Sequence, residues 1–148
     1  MSPLSPRLAT IVEALPLKPG MRVLEIGGAP GAAAKAVVQR VGDVHVLVID
    51  RSAKGVDLIR RNAADEIAAG RLSTRCVAAE DFTLEFGEAP FDLAFAVRVG
   101  ALDGRHPEAG KRVRTRIAAA LIPGGKLFID GGNPLREIEL PEHTHQPE

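Results

Sequence analysis

The chain has 148 residues, and its 19 basic and 19 acidic side chains cancel to a formal charge of zero. With 45% of residues in the hydrophobic class, it should fold as one domain; a cofactor domain joined to a separate substrate domain is excluded by size. One Cys, five Phe and neither Trp nor Tyr exclude a disulfide scaffold and a CxxC metal site, and make the core aliphatic.

In chain order, Ser5-Pro6 opens a helix over residues 5–15, with Pro at its first position. Leu8, Ile11, Val12 and Leu15 form one apolar stripe that must pack on something. Arg22–Ile26 is a short apolar run that leads straight into glycines, and residues 31–41 are an Ala-rich helix. Val44–Asp50 is almost continuously apolar and β-branched, as in a strand buried on both faces of a parallel sheet. Ser52 is the N-cap of a helix expected to reach Ala69, with Gly70 past its end. Leu72–Ala78 and Phe91–Val97 are strands three and four, Pro107–Leu121 a helix, and Lys126–Asp130 the fifth strand. Strands alternating with helices predict an α/β fold on a parallel sheet.

One connection breaks the alternation. Residues 79–90 carry no helical stripe, and contain Gly87 and Pro90. Extended, such a loop reaches about 40 Å, enough to return the chain from a sheet edge past its centre. From Pro134 onward there are one basic and four acidic residues. This predicts a domain over 1–133 and a short acidic tail over 134–148, in which Leu135, Ile138 and Leu140 offer one edge strand. No apolar run approaches the ~20 residues of a membrane span. MSPLSPRLAT has no basic segment followed by an apolar one, so a cytoplasmic location is expected.

Val23-Leu-Glu-Ile-Gly-Gly-Ala-Pro-Gly31 carries the most chemistry. A strand ends there, and a loop of small residues runs directly into a helix. Such a loop brings backbone N–H groups and a helix N-terminus to a ligand. A ligand-free strand-to-helix turn has the same composition, but two acids separate the readings. Glu25 sits at the strand end, two residues before the first Gly, and should project into the crevice above the sheet. Asp50 ends the next strand, 19 residues after Gly31, where an acid accepts both hydroxyls of a ribose. A dinucleotide fingerprint needs Gly where Ala29 stands, and Glu25 would oppose a pyrophosphate. An amino group suits Glu25 better, so a nicotinamide oxidoreductase is the third choice.

VLEIGGAPG resembles the first motif of class I S-adenosylmethionine-dependent methyltransferases: an apolar strand, an acid, one apolar residue and a small-residue loop, with Ala29 at the middle Gly. The resemblance continues with VLVID ending in Asp50, with Ala79-Glu80-Asp81-Phe82, with FDLAFAV, and with Leu121-Ile-Pro-Gly-Gly-Lys-Leu-Phe128. It covers about residues 20 to 130, in the family's order. It implies a three-layer Rossmann-like sandwich, a mostly parallel sheet in the order 3-2-1-4-5, and helices on both faces. It also implies S-adenosyl-L-methionine as cofactor and S-adenosyl-L-homocysteine as product. Glu25 with Gly27, Gly28, Ala29 and Gly31 would hold the methionine end, and Asp50 the ribose, with Arg51 beside the adenine. Ala79, Glu80 and Asp81 would line the adenine edge, although Ala78 stands where an acid is frequent. Val97 and Arg98 would lie beneath the reactive methyl.

Methyl transfer from a sulfonium needs mainly alignment, exclusion of water and, for some acceptors, a base. The candidates for that chemistry are Arg98, as a clamp on an anionic substrate, and His106, as a proton acceptor. A bridge from Arg98 to Asp103 and a plain loop role for His106 are the competing readings. No metal site is expected. Cys76 reads as a small core residue, and His143 and His145 as solvated. Six basic residues from Arg98 to Arg116 face only Asp103 and Glu108. Without Tyr or Trp to stack a base, Lys111, Arg112, Arg114 and Arg116 read as a solvated helix face rather than a nucleic-acid surface. The leading expectation is a methyltransferase for a small molecule. The alternative is a non-catalytic or partner-completed module, because the usual fold has two further strands and an open edge here would invite self-pairing as a homodimer.

Overall fold

The computed structural model describes residues 4–102 and 104–141. Apolar residues, aliphatic in β1 (Met21–Ile26) and β2 (Val44–Asp50) and Phe, Leu and Ala in β4 (Phe91–Ala96), build three strands whose central residues are buried on both faces. Together with β3 (Leu72–Cys76), β5 (Leu121–Asp130) and β6 (Leu135–Ile138) they build one sheet in the order β3-β2-β1-β4-β5-β6. The first five strands are parallel, and β6 runs antiparallel to β5. The three-layer Rossmann-like sandwich and its strand order are those that the resemblance implies. The first residues of the acidic tail supply the extra edge strand, so the edge expected to stay open at β5 is taken by β6.

Alternation along each strand sends side chains to two separate cores. Val23, Val46, Val48, Leu93 and Phe95 pack on one face with Val12 and Leu15 of α1 (Pro6–Ala14) and its C-cap, Ala33, Val37 and Val38 of α2 (Ala32–Val41), and Ile59 of α3 (Ala53–Asn62). Leu24, Ile26, Leu47, Ile49, Ala94 and Leu127 pack on the other with Val113 and Ile117 of α5 (Pro107–Ala120) and with Phe82 and Phe91. Each such fully buried aliphatic side chain contributes about 1.5–3 kcal/mol. The apolar stripe of the first helix thus finds its partner in α2. Ser5 caps α1, its hydroxyl accepting the Leu8 N–H at 3.2 Å, and Ser52 caps α3. No helix among the described residues is long and apolar enough to cross a membrane.

Two expectations change. The helix from Ser52 to Ala69 breaks at Ala63, whose ψ of 26° leaves the helical range, and resumes as α4 (Ala64–Ala68). Ala63 itself is fully buried, so the break lets the chain turn along the core while its apolar contact is kept. Cys76 is exposed, not a core residue, and its thiol points to the Arg51 carbonyl at 3.7 Å. It is the last residue of an edge strand, where alternation continues but no layer covers it. The third connection is the 3₁₀ turn Ala79–Asp81 followed by open loop, as its lack of a stripe predicts.

That loop is held by ions rather than by a helix. Arg75 donates to both oxygens of Glu88, at 3.2 and 2.8 Å, and to Glu85 at 3.1 Å. Arg22 stacks over the Phe91 ring at 4.7 Å on the same side. Burial alone would raise the Glu88 carboxyl, but hydrogen bonds from Arg75 and the Glu85 N–H, with the charges of Arg75 and Arg22, hold it below the ordinary value. A depressed folded-state value means stability that is present above the unfolded value and lost as pH falls through the folded one. Glu88→Gln should therefore cost about 1–2 kcal/mol at pH 7 and less at pH 3, in urea melts at both pH values.

Candidate functional site

In a sheet of this order the strand order reverses between the parallel neighbours β1 and β4, and a crevice opens beyond the carboxyl ends of those strands. Glu25 and Val97 both belong to the face covered by α1 and α2: Glu25 is in register with Val48 and Phe95, and Val97 packs against that core. The loop after β1 turns sharply at Gly27 (φ 67°) and at Gly31 (φ 100°), conformations open to Gly and costly for other residues. Gly27 N–H donates to the Ile49 carbonyl at 2.8 Å, tying the loop to the end of β2.

Two cavities meet at this place. The first, about 320 Å³, is lined by Glu25, Gly27, Gly28, Ala29, Val97 and Arg98, and roofed from α1 by Arg7, Leu8 and Ile11. The second, about 520 Å³, is lined by Gly27, Asp50, Arg51, Ala79, Glu80, Arg98 and His106. Gly27 and Arg98 line both, so the two cavities adjoin, with Glu25 in the lining of the first and Asp50 in that of the second.

Glu25 is 3% exposed, and its Oε1 has no hydrogen-bond partner. Desolvation, and then the like charge of Asp50, push its carboxyl up to about 8. A buried carboxylate with a free oxygen is costly alone and is satisfied by a cationic donor. Gly28 is what lets it lie there: a Cβ at residue 28 would come within 2.8 Å of the Glu25 carboxyl carbon and would overlap Val48. Asp50 is already engaged, Oδ2 accepting the Ala29 N–H at 3.2 Å and Oδ1 the Ser52 N–H at 2.9 Å. A carboxylate offers about four acceptor sites, so two remain for hydroxyl donors. The acid thereby fixes the glycine loop as well as facing the second cavity. Gly55 packs against it, since a Cβ there would stand 3.2 Å from Asp50 Oδ1.

Most of the sequence-predicted residues converge. Glu25, Gly27, Gly28, Ala29, Val97 and Arg98 share the first cavity, and Asp50, Arg51, Ala79, Glu80, Arg98 and His106 the second. Two do not. Asp81 is exposed and lines neither cavity, because the 3₁₀ turn aims Ala79 and Glu80 inward and carries Asp81 past the rim. Gly31 lies behind the loop as the N-cap of α2, against Ile59, so its role is the turn. Arg98 is exposed, and its backbone N–H donates to Asp130 Oδ1 at 2.9 Å. The expected Arg98–Asp103 bridge, His143 and His145 lie outside the described residues. Among the described residues no three His, Cys, Asp or Glu side chains form a metal-binding group. Lys111, Arg112 and Arg116 are exposed on α5, with Arg116 donating to the Glu80 carbonyl at 3.2 Å.

Sequence reading missed the contribution of α1, and it missed Asp130. The stripe containing Leu8 and Ile11 announced that the helix packs, but nothing in it announced that its first turn roofs a cavity. Asp130 ends β5 like any strand-terminal acid, and its partners stand far away in the chain.

The family model described as a methyltransferase domain matches residues 23–125. The chain is 37% identical over 135 residues to a protein-L-isoaspartate O-methyltransferase of Methylorubrum extorquens (strain PA1), covering 86% of this chain and 49% of that protein. It is 29% identical over 140 residues to a protein of the same name from Methanothrix thermoacetophila, covering 93% and 60%. The chain thus spans about half the length of the curated relatives it matches. Among solved structures, a pyocyanin biosynthetic protein superposes with TM-score 0.70 at 19% identity, covering 86% of this chain and 38% of that one. The phosphoethanolamine N-methyltransferase 2 of Haemonchus contortus, solved in complex with S-adenosyl-L-methionine, superposes with TM-score 0.66 at 26% identity, covering 83% and 27%. A nicotinamide oxidoreductase is thereby set aside. With the motif order, the strand order and the family match in agreement, the chain belongs to the class I S-adenosylmethionine-dependent methyltransferase family.

Proposed function

We propose that this chain binds S-adenosyl-L-methionine across the two adjoining cavities and transfers its methyl group to a small acceptor that presents an anionic group to Arg98. The observation that carries the reading is the buried Glu25 with its unpartnered oxygen, in a cavity that adjoins the one lined by Asp50. A ligand that carries both an amino acid and a ribose matches those two acids in chemistry. Glu25 would accept from the ammonium group, and the free lone pairs of Asp50 from the ribose hydroxyls. When bound, the cofactor supplies a methyl already activated by its sulfonium. Leu8, Ile11 and Val97 would exclude water around that carbon, and Arg98 would hold the acceptor against it.

Removing both roles of Asp50 should be costly. Asp50→Ala is expected to weaken binding of S-adenosyl-L-homocysteine roughly 10- to 100-fold, and to lower stability by about 1 kcal/mol through the freed Ala29 and Ser52 N–H groups. Calorimetry against the parent chain and a thermal melt measure the two effects; unchanged affinity would remove the ribose assignment.

A second reading takes its acceptor from the relatives: a carboxylate carried by a polypeptide. The 37% identity to a protein-L-isoaspartate O-methyltransferase favours it, and both readings place an anion at Arg98. Transfer of labelled methyl to isoaspartyl peptides, but not to small carboxylic acids, would select the second reading. Tight cofactor binding with no transfer to either would instead favour a binding module completed by another chain.

A further inference from the structure

The geometry points to Asp130 as a positioning residue, one carboxylate that sets both the roof helix and the acceptor-facing turn of the site; the inference rests on the cofactor reading above. Its two oxygens serve two different elements. Oδ2 accepts from Arg7 of α1 at 2.6 Å, and Oδ1 accepts the backbone N–H of Arg98 at 2.9 Å. The carboxylate itself is only 12% exposed, whereas the Arg7 side chain is 54% exposed.

Each bond fixes something that would otherwise be loose. The buried anchors of α1, Ile11 and Val12, lie in its second turn. The first turn, which brings Ser5, Arg7 and Leu8 over the first cavity, is tied down from the sheet side by Arg7–Asp130. An ion pair with so exposed a partner adds little to global stability. Its effect is on where the first turn sits. Arg98 has φ of 60°, and it is the only non-Gly residue at positive φ among the described residues. Such a backbone costs of order 1–3 kcal/mol and persists only when its surroundings over-determine it. The bond from its N–H to Asp130 is that constraint, and it holds Arg98 where it lines both cavities. Asp130 is itself held on the sheet, in register with Leu135 of β6. A single anchored acid therefore couples the roof to the turn.

The two bonds can be separated by substitution in the full chain. Asp130→Asn keeps an acceptor for Arg98 and removes the charge facing Arg7; Arg7→Ala removes the same pair from the other side. Each should weaken S-adenosyl-L-homocysteine about 3- to 10-fold, and the double variant no further, since both remove one interaction. Asp130→Ala loses both bonds and should weaken it by at least about 30-fold. In the ligand-free proteins, hydrogen exchange should quicken over residues 5–10 in Arg7→Ala and Asp130→Asn, and over both 5–10 and 97–100 in Asp130→Ala. The inference is overturned if Asp130→Ala or Asp130→Asn lowers the melting temperature while affinity and the exchange of both segments match the parent, which is what a purely structural acid would do. It is likewise overturned if the single losses of Arg7→Ala and Asp130→Asn add in the double variant. A parent chain that fails to bind the ligand would instead overturn the cofactor reading, and the exchange pattern would still decide the coupling.

Discussion

Replacing Glu25 with Gln should stabilise the free protein in mild alkali and, at the same pH, loosen its hold on S-adenosyl-L-homocysteine by about 100-fold. The two signs are opposite because one carboxylate is responsible for both. Glu25 ionises near 4.5 in an unfolded chain and near 8 in the folded one, first because it is buried and second because Asp50 repels it. Between those values the folded state holds the extra proton, so stability falls as pH rises through the window and levels off above it. The parent should therefore lose a few kcal/mol between about pH 5 and pH 9. The neutral amide of the variant escapes that loss, apart from about 1–3 kcal/mol for its own unsatisfied groups. At pH 6 the two proteins should melt within a few degrees of each other; at pH 9 the variant should melt higher by roughly 2–8 °C. Binding runs the other way, since an amide offers an ammonium group no charge. A variant that is destabilised at pH 9, or one that binds as the parent does, would show that Glu25 is an ordinary buried acid.

The second large effect is expected at Gly28. A methyl group added there would meet the carboxyl carbon of Glu25 at 2.8 Å and its Oε1 at 2.9 Å, and would overlap Val48. Neither neighbour is a flexible end that can swing aside, since Val48 is fully buried in β2 and Glu25 is 3% exposed in β1. Gly28→Ala must displace Glu25, shift the loop or separate two central strands. The expected cost is about 1–3 kcal/mol in a urea melt, with ligand binding reduced below detection. Ala29→Gly, one residue further on at an exposed position, is the matched control and should change stability by less than about 1 kcal/mol. Parent-like stability and affinity in Gly28→Ala would mean that the loop is roomier than its geometry indicates.

Where the site was legible in the sequence, the reason is local. VLEIGGAPG holds a strand, an acid and a turn in nine consecutive residues, and β-strand alternation alone decides that Glu25 shares a face with Val23. Asp50 could be placed because parallel strands end at one level, so an acid closing the next strand meets the same crevice. What stayed hidden depends on distance or on cover. Arg7 and Asp130 are 123 residues apart, and no periodicity in either segment marks their meeting. The left-handed turn at Arg98 carries no Gly to announce it, because the constraint comes from β5. Cys76 follows the pattern of a core position, but coverage ends before the strand does. The break at Ala63 has neither Gly nor Pro to mark it. Asp81 was separated from Ala79 and Glu80 only by the twist of a single 3₁₀ turn.

Whether Glu25 receives the ammonium group of the cofactor is tested most directly by titrating the parent chain with S-adenosyl-L-homocysteine at pH 7, in two buffers of different ionisation enthalpy. If the ligand's ammonium group satisfies Glu25, the acid must surrender the proton it holds below about 8. One site per chain and release of nearly one proton are expected, with affinity rising toward pH 8 by up to tenfold per unit. No saturable binding, or binding that releases no proton, would contradict that role for Glu25.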